Sequence, residues 1–220
     1  VKPATMREQH REGIELVLRA WTEPEVFSFN GRFTKLRYVN PWPKPLQNPH
    51  PPIWTPGSGS LETMDFAIET NSPFFLLSYF GAKFATDNFR KYWDRVEKAG
   101  MDQNPYRTGM VQVVMVGDTD AEAKRLYEEH AKYFFQRCTH IYPAFTEAPG
   151  YKSVESLKEV LPKPGAASAS RADSFAAAQK YSWDQMVDMG IIIGGSPDTV
   201  RERLEAAGRE NSIGNWVLLM

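Results

Sequence analysis

The residues of this sequence best suited to chemistry are Gly57, Ser58, Gly59 and Ser60, within HPPIWTPGSGSLETMDFAIET. Four small residues in a row leave successive backbone N–H groups with little bulk over them. Ser60 is a natural N-cap, Leu61, Met64 and Ile68 recur at helical spacing, and Glu62 places a negative charge in the first helical turn. A turn of this kind at a helix start can receive an anion, most often a phosphate. The pattern has no third glycine of a dinucleotide fingerprint and no Lys-Ser/Thr of a P-loop. From the residues alone, a tight strand-to-helix turn without a ligand is the favoured reading and the anion cradle is the alternative.

Other candidates are weaker. Gly194-Gly195-Ser196-Pro197 is a firm helix start, with Ser196 as N-cap and Pro197 at the first helical position. His50 closes a proline-rich segment and reads as structural or solvated, and His130 as a satisfied core or boundary residue. The single cysteine, Cys138, excludes an internal disulfide and a multi-cysteine metal site, and is expected to be a buried small apolar residue. No His/Asp/Glu constellation can be assembled, so catalytic residues stay unassigned and no metal is expected.

Positioning these residues falls to an alternating set of elements. Thr5-x-x-Glu8 reads as a capping box before a helix over about 6–22, with Ile14, Val17, Leu18 and Trp21 as its apolar stripe. Asn30-Gly31 between aromatics predicts a hairpin over 27–36. Six prolines in residues 40–52 predict an extended connector. Strands are expected at 53–55, 73–80, 110–116 and 215–220. Helices are expected from 61, from about 89 to 100, after Thr119-x-x-Glu122, after Ser182-x-x-Gln185, and from Ser196 to about 207 with Gly208 closing it. Residues 140–181, rich in Pro, Gly, Ala and Ser, read as a disordered segment or a functional lid. The alternation predicts an α/β fold with a parallel sheet wrapped by helices.

The composition narrows the partners. A net charge of −1 with no long basic run argues against nucleic acid. With no membrane-length apolar run and no signal-peptide pattern, a cytoplasmic protein without a membrane partner is the expectation. Val1 opens the chain and NWVLLM closes it, which reads as a piece of a larger fold.

Three stretches together resemble the luciferase-like flavin-dependent monooxygenases, the family of bacterial luciferase and alkanesulfonate monooxygenase. They are ELVLRAWTEPEVFSFNGRFTKL, PKPLQNPHPPIWTPGSGSLETMDFA and GGSPDTVRERLEAAG before a terminal strand. The resemblance implies a (β/α)8 TIM barrel of which this chain holds only about strands five to eight, with a long lid-like insertion. It divides the chain into a helix, hairpin and proline-rich connector (1–52), βα units (53–138), the insertion (139–181) and a last βα unit (182–220). It implies a monooxygenase that uses reduced FMN and O2 to oxidise a small organic substrate, with a flavin reductase supplying the reduced flavin, and a homodimer. The alternatives are an F420-dependent dehydrogenase of the same fold and a non-catalytic flavin-binding relative.

The same resemblance reverses the preference at the turn, making Gly57, Ser58, Gly59 and Ser60 the holders of the flavin phosphate. It makes the second glycine turn chiefly a helix start. Tyr79 and Phe80 become candidates to line the flavin or substrate pocket, with core packing as the other reading. Tyr151, Lys152 and Arg171 become candidates to touch an anionic substrate or the phosphate if the insertion closes. A half barrel would expose two strand edges and is expected to need its missing half.

Overall fold

A computed structural model describes residues 3–77, 79–138, 153–160 and 176–220. Contacts divide them into two units, one ending at Ile53 and one beginning at Trp54.

The first unit holds α1 (Met6–Thr22), β1 (Phe27–Asn30) and β2 (Lys35–Val39). The hairpin forms as its aromatics predict, but Asn30 pairs with Lys35, so the loop is the four residues 31–34 rather than a two-residue Asn-Gly turn. The reason lies on α1. The Glu12 carboxylate accepts the Phe33 and Thr34 N–H groups at 3.0 and 2.7 Å and pins the wider loop open. These bonds outweigh the effect of burial and hold the Glu12 carboxyl below its usual range. The Thr5 capping box does not form, because Thr5 makes no side-chain cap bond and Glu8 pairs with Arg32 instead. The α1 stripe contains no fully buried residue.

The second unit is built on parallel strands: β3 (Thr55–Gly57), β4 (Phe74–Leu77), β5 (Thr108–Val116), β6 (Ile192–Gly195) and β7 (Asn215–Leu219). The helices are α2 (Leu61–Glu69), α3 (Ala82–Lys98), α4 (Asp120–Tyr133), α5 (Val154–Val160), α6 (Trp183–Asp188) and α7 (Pro197–Asn211). β3 pairs with β4, and β4 with β5. β7 and β4 both pair with residues 109–111 of β5, so they occupy its two opposite edges. β6 and β7 share Val113, which puts β6 on the edge that β4 leaves after Val111. Gln112 sits at that break and seals it: its buried amide donates to the carbonyls of Val113 and Ile191, both at 3.2 Å. Ile192–Gly195 thus forms a fifth parallel strand where four were expected, because the long β5 has edge enough for two partners in tandem.

One core cluster packs α2 and α3 on β4 and β5 through Met64, Phe74, Leu76, Phe89, Tyr92 and Met110. A second joins α4 and α6 to β5 and β6 through Val113, Ala123, Ala131, Trp183, Met186 and Ile192. The α4 face keeps only part of the stripe that helical spacing suggests, Leu126, Tyr127, His130, Tyr133 and Phe134: Tyr127 and Phe134 pack on the second cluster beside the fully buried Ala123 and Ala131, while Leu126, His130 and Tyr133 are exposed. Small side chains let that helix lie close to the sheet. Cys138 is also exposed, ending a short π-helical turn that buries Phe135 instead. The Ser182–Gln185 capping box forms with both of its bonds. α7 runs past Gly208 to Asn211 because the left-handed residue that ends it is Ser212, and the Gly208 carbonyl accepts the Ile213 N–H at 2.9 Å. No helix among the described residues is long and apolar enough to cross a membrane.

Candidate functional site

The small-residue turn lies at the C-terminal end of β3, where parallel α/β sheets place their ligand sites. The strand begins and ends two residues later than its β-prone residues suggest, so Gly57 closes the strand and 58–60 form the turn. The strand is anchored at its start. The Thr55 N–H donates to Pro73 O, and the Thr55 and Ser72 hydroxyls pair at 2.7 Å in a buried contact. Trp54 stacks on Phe75 with centroids 4.2 Å apart, leaving the indole half-exposed.

Two glycines of the turn are required by their surroundings. A Cβ on Gly57 would come within 2.7 Å of the Phe74 ring. Gly59 has φ +98°, and a Cβ there would stand 2.4 Å from Asn88 Oδ1. Asn88 is buried on α3, and its amide donates to Phe84 O at 2.8 Å, which fixes Oδ1 towards the turn. That oxygen accepts no hydrogen bond among the described residues. Ser60 occupies the N-cap of α2 as its type predicts. Its carbonyl accepts the Thr63 and Met64 N–H groups, while its hydroxyl pairs with the Thr63 hydroxyl at 2.7 Å rather than with backbone.

The first turn of α2 is engaged from outside by α5. The Leu61 N–H donates to Ser156 Oγ at 3.2 Å, and Ser156 in turn donates to Glu62 Oε2 at 2.7 Å. The Ser153 N–H donates to Glu62 Oε1 at 2.6 Å. Each helix therefore caps the other. Burial raises the Glu62 pKa, but the bonds from Ser153 and Ser156 prevail and bring it down to about 2. At neutral pH an ionised carboxylate thus stands beside the turn.

The second glycine turn also has an internal anion. Asp120, at the start of α4, accepts the Ser196 N–H at 2.7 Å, and Ser196 Oγ accepts the Thr199 N–H at 3.3 Å. The Ser196 bond is the chief reason the Asp120 carboxyl lies below its usual range. A Cβ on Gly195 would meet that same carboxylate at 2.6 Å. This turn ties α4, β6 and α7 together, and no signal in the sequence pointed to Asp120.

Tyr79 packs towards Phe134 of the second core cluster, with centroids 6.0 Å apart, and Phe80 towards Phe84 of α3 at 4.9 Å. His50, in the first unit, contacts the Pro51 carbonyl at 2.7 Å and lies against Trp21. Tyr151, Lys152 and Arg171 lie outside the described residues. Ser153, Ser156 and Asn88, the residues that meet the turn from elsewhere in the chain, carry no sequence signal at their own positions.

A parallel sheet with a small-residue turn at a strand end is a framework shared by many cofactor-dependent enzymes. Among them, this chain belongs to the luciferase-like monooxygenase family, whose profile matches residues 1–213. It is 32% identical over 120 residues to an FMNH2-dependent dimethylsulfone monooxygenase of Pseudomonas putida, a match covering 54% of this chain and 31% of that enzyme. Its fold is similar to that of the oxygenating constituent of 3,6-diketocamphane monooxygenase from Pseudomonas putida, solved with FMN. There the TM-score is 0.62 and the identity 21%, with 96% of this chain and 56% of the other covered. It is similar too to the F420-dependent tetrahydromethanopterin reductase of Methanopyrus kandleri, with TM-score 0.60, 14% identity, and coverage of 99% and 57%. The chain spans about half the length of these solved relatives and matches under a third of the curated one.

Proposed function

We propose that this chain is the phosphate-holding part of a flavin-dependent monooxygenase, which uses reduced FMN and O2 to oxidise a small organic substrate. The observation that carries the reading is the turn at residues 57–60. It joins required glycines to a helix start at the C-terminal end of a parallel strand, in a chain of the luciferase-like monooxygenase family. The backbone there admits close approach of a phosphoryl group, and Ser58 and Ser60 bring hydroxyls to it. Reduced FMN supplies the oxygen chemistry when bound, and this chain's residues hold and orient it. The sheet is then the second half of a (β/α)8 barrel, with β3 opening that half and β7 closing it. A flavin reductase delivers the reduced cofactor, and the enzyme works as a homodimer.

The test uses the whole protein that contains this chain, FMNH2 generated by a reductase, and dimethylsulfone as the first substrate in a panel of small sulfones and sulfonates. Oxygen uptake coupled one-to-one to product is the expected result. Substrate oxidation coupled to reduction of oxidised F420 without oxygen, and no product from FMNH2, would favour the dehydrogenase reading instead. Tight binding of oxidised FMN without turnover on any substrate would favour a non-catalytic role.

A further inference from the structure

The α2 N-terminus is already satisfied by the protein itself. Ser156 holds the Leu61 N–H, and the Glu62 carboxylate is clasped by Ser153 and Ser156. Ser156 Oγ is used twice, as acceptor from Leu61 and as donor to Glu62, so it has no proton left to offer a ligand while it stays there. A phosphate seated on this turn would need the same N–H group and would meet an ionised carboxylate beside it. Yet the turn also has a feature that the protein leaves unmet. Asn88 Oδ1 is buried, faces Gly59 and takes no donor among the described residues. A hydroxyl carried next to a phosphoryl group, as on a polyol phosphate, is the kind of donor that oxygen would accept.

We infer that α5 is an internal competitor for the turn: docked through Ser153, Ser156 and Glu62, it occupies the place of a polyol phosphate, and the two exclude one another. The inference rests on the phosphate reading of residues 57–60 and adds to it a closed state that cofactor must open. Ligand binding then releases α5, and α5 docking protects the turn when no cofactor is present. A phosphate ester would undock α5 by taking the Leu61 N–H, with Glu62 turning out to solvent. Ser153 precedes α5 and Ser156 lies in its first turn, so the clasp is made at the N-terminal end of a helix of seven residues.

The experiment uses the full chain with FMN, riboflavin and inorganic phosphate as probes. It reads affinity by titration and docking of α5 by amide exchange at residues 153–160 and at Leu61. FMN is expected to speed exchange across 153–158, and riboflavin, which has no phosphate, to leave it unchanged. Ser156→Ala and Glu62→Gln are each expected to tighten FMN binding by about 5-fold, the equivalent of one competing hydrogen bond. Thermal unfolding of both variants checks that they remain folded. If FMN binds at residues 57–60 but slows exchange in α5, or if Ser156→Ala weakens it, α5 is a part of the site and the competition is wrong, while the phosphate reading stands. If neither the wild type nor Ser156→Ala responds to FMN or phosphate at residues 57–60, both readings fall together.

Discussion

Gly59 meets two constraints at once. Its backbone sits at φ +98°, and its missing side chain leaves the space that Asn88 Oδ1 fills. Gly59→Ala is expected to cost about 1–3 kcal/mol, measured by urea unfolding. In an Asn88→Ala background the cost should fall, because the steric part is gone while the strained dihedral remains. Equal costs in both backgrounds would show that only the dihedral matters. Gly57→Ala tests the neighbouring constraint, since its Cβ would drive against the Phe74 ring, a core side chain with no room to retreat. At this scale the sequence was informative where residue type fixes backbone behaviour. Glycines at 57 and 59, the N-cap serines at 60, 182 and 196, and Gln185 could all be placed because their effects are local. Asn88, Asp120, Ser153 and Ser156 could not be, because each acts on a residue far away in the chain and looks ordinary among its own neighbours.

Among the elements, α5 and α2 show how a local signal can be right and still incomplete. Glu62 reads as a first-turn acid favoured by the helix dipole, and it is one, but its carboxylate is spent on holding a second helix. Its pKa of about 2 lies below the ordinary 4.5, so docking of α5 draws stability from the ionised form. That contribution is complete above about pH 4.5 and is lost as pH falls towards 2. Protection against amide exchange at residues 153–158, taken relative to the intrinsic rate at each pH, is therefore expected to fall on acidification through that window. In Glu62→Gln that protection should be low throughout and flat with pH. The α7 start offers a comparison. Asp120→Ala is expected to speed exchange of the Ser196 amide and lower the melting temperature, and Asp120→Asn to do less, because its side-chain oxygen still accepts the bond. Element positions were legible from periodicity and caps. The errors came where tertiary partners set the boundary: the hairpin loop widened by Glu12, the α7 end moved to Ser212, and the α4 face chosen by alanines.

The sheet as a whole has two kinds of surface. Phe74, Leu76 and Met110 point into the first core cluster. In register beside them, Phe75, Leu77, Val111 and Val217 point the other way. Of these, Leu77, Val111 and Val217 are only partly buried, and Leu219 further along β7 is 38% exposed. The outer edges of β3 and β7 pair with no strand among the described residues. Apolar residues on a half-covered face between two such edges are what the half-barrel reading proposed above requires. The parallel α/β class was legible because alternation of strands and helices dictates it, whereas the tandem seating of β4 and β6 on one edge was not, because strand order is set by long-range pairing. Val217→Lys separates the two states of that face. In the 220-residue chain the lysine can reach water, and the expected loss is about 1 kcal/mol or less. In a protein whose upstream segment completes the barrel, the same charge would be buried without a partner and should cost about 3 kcal/mol or more. Parallel urea titrations of both proteins measure the difference, and equal losses would mean that this face is not the inner wall of a closed barrel.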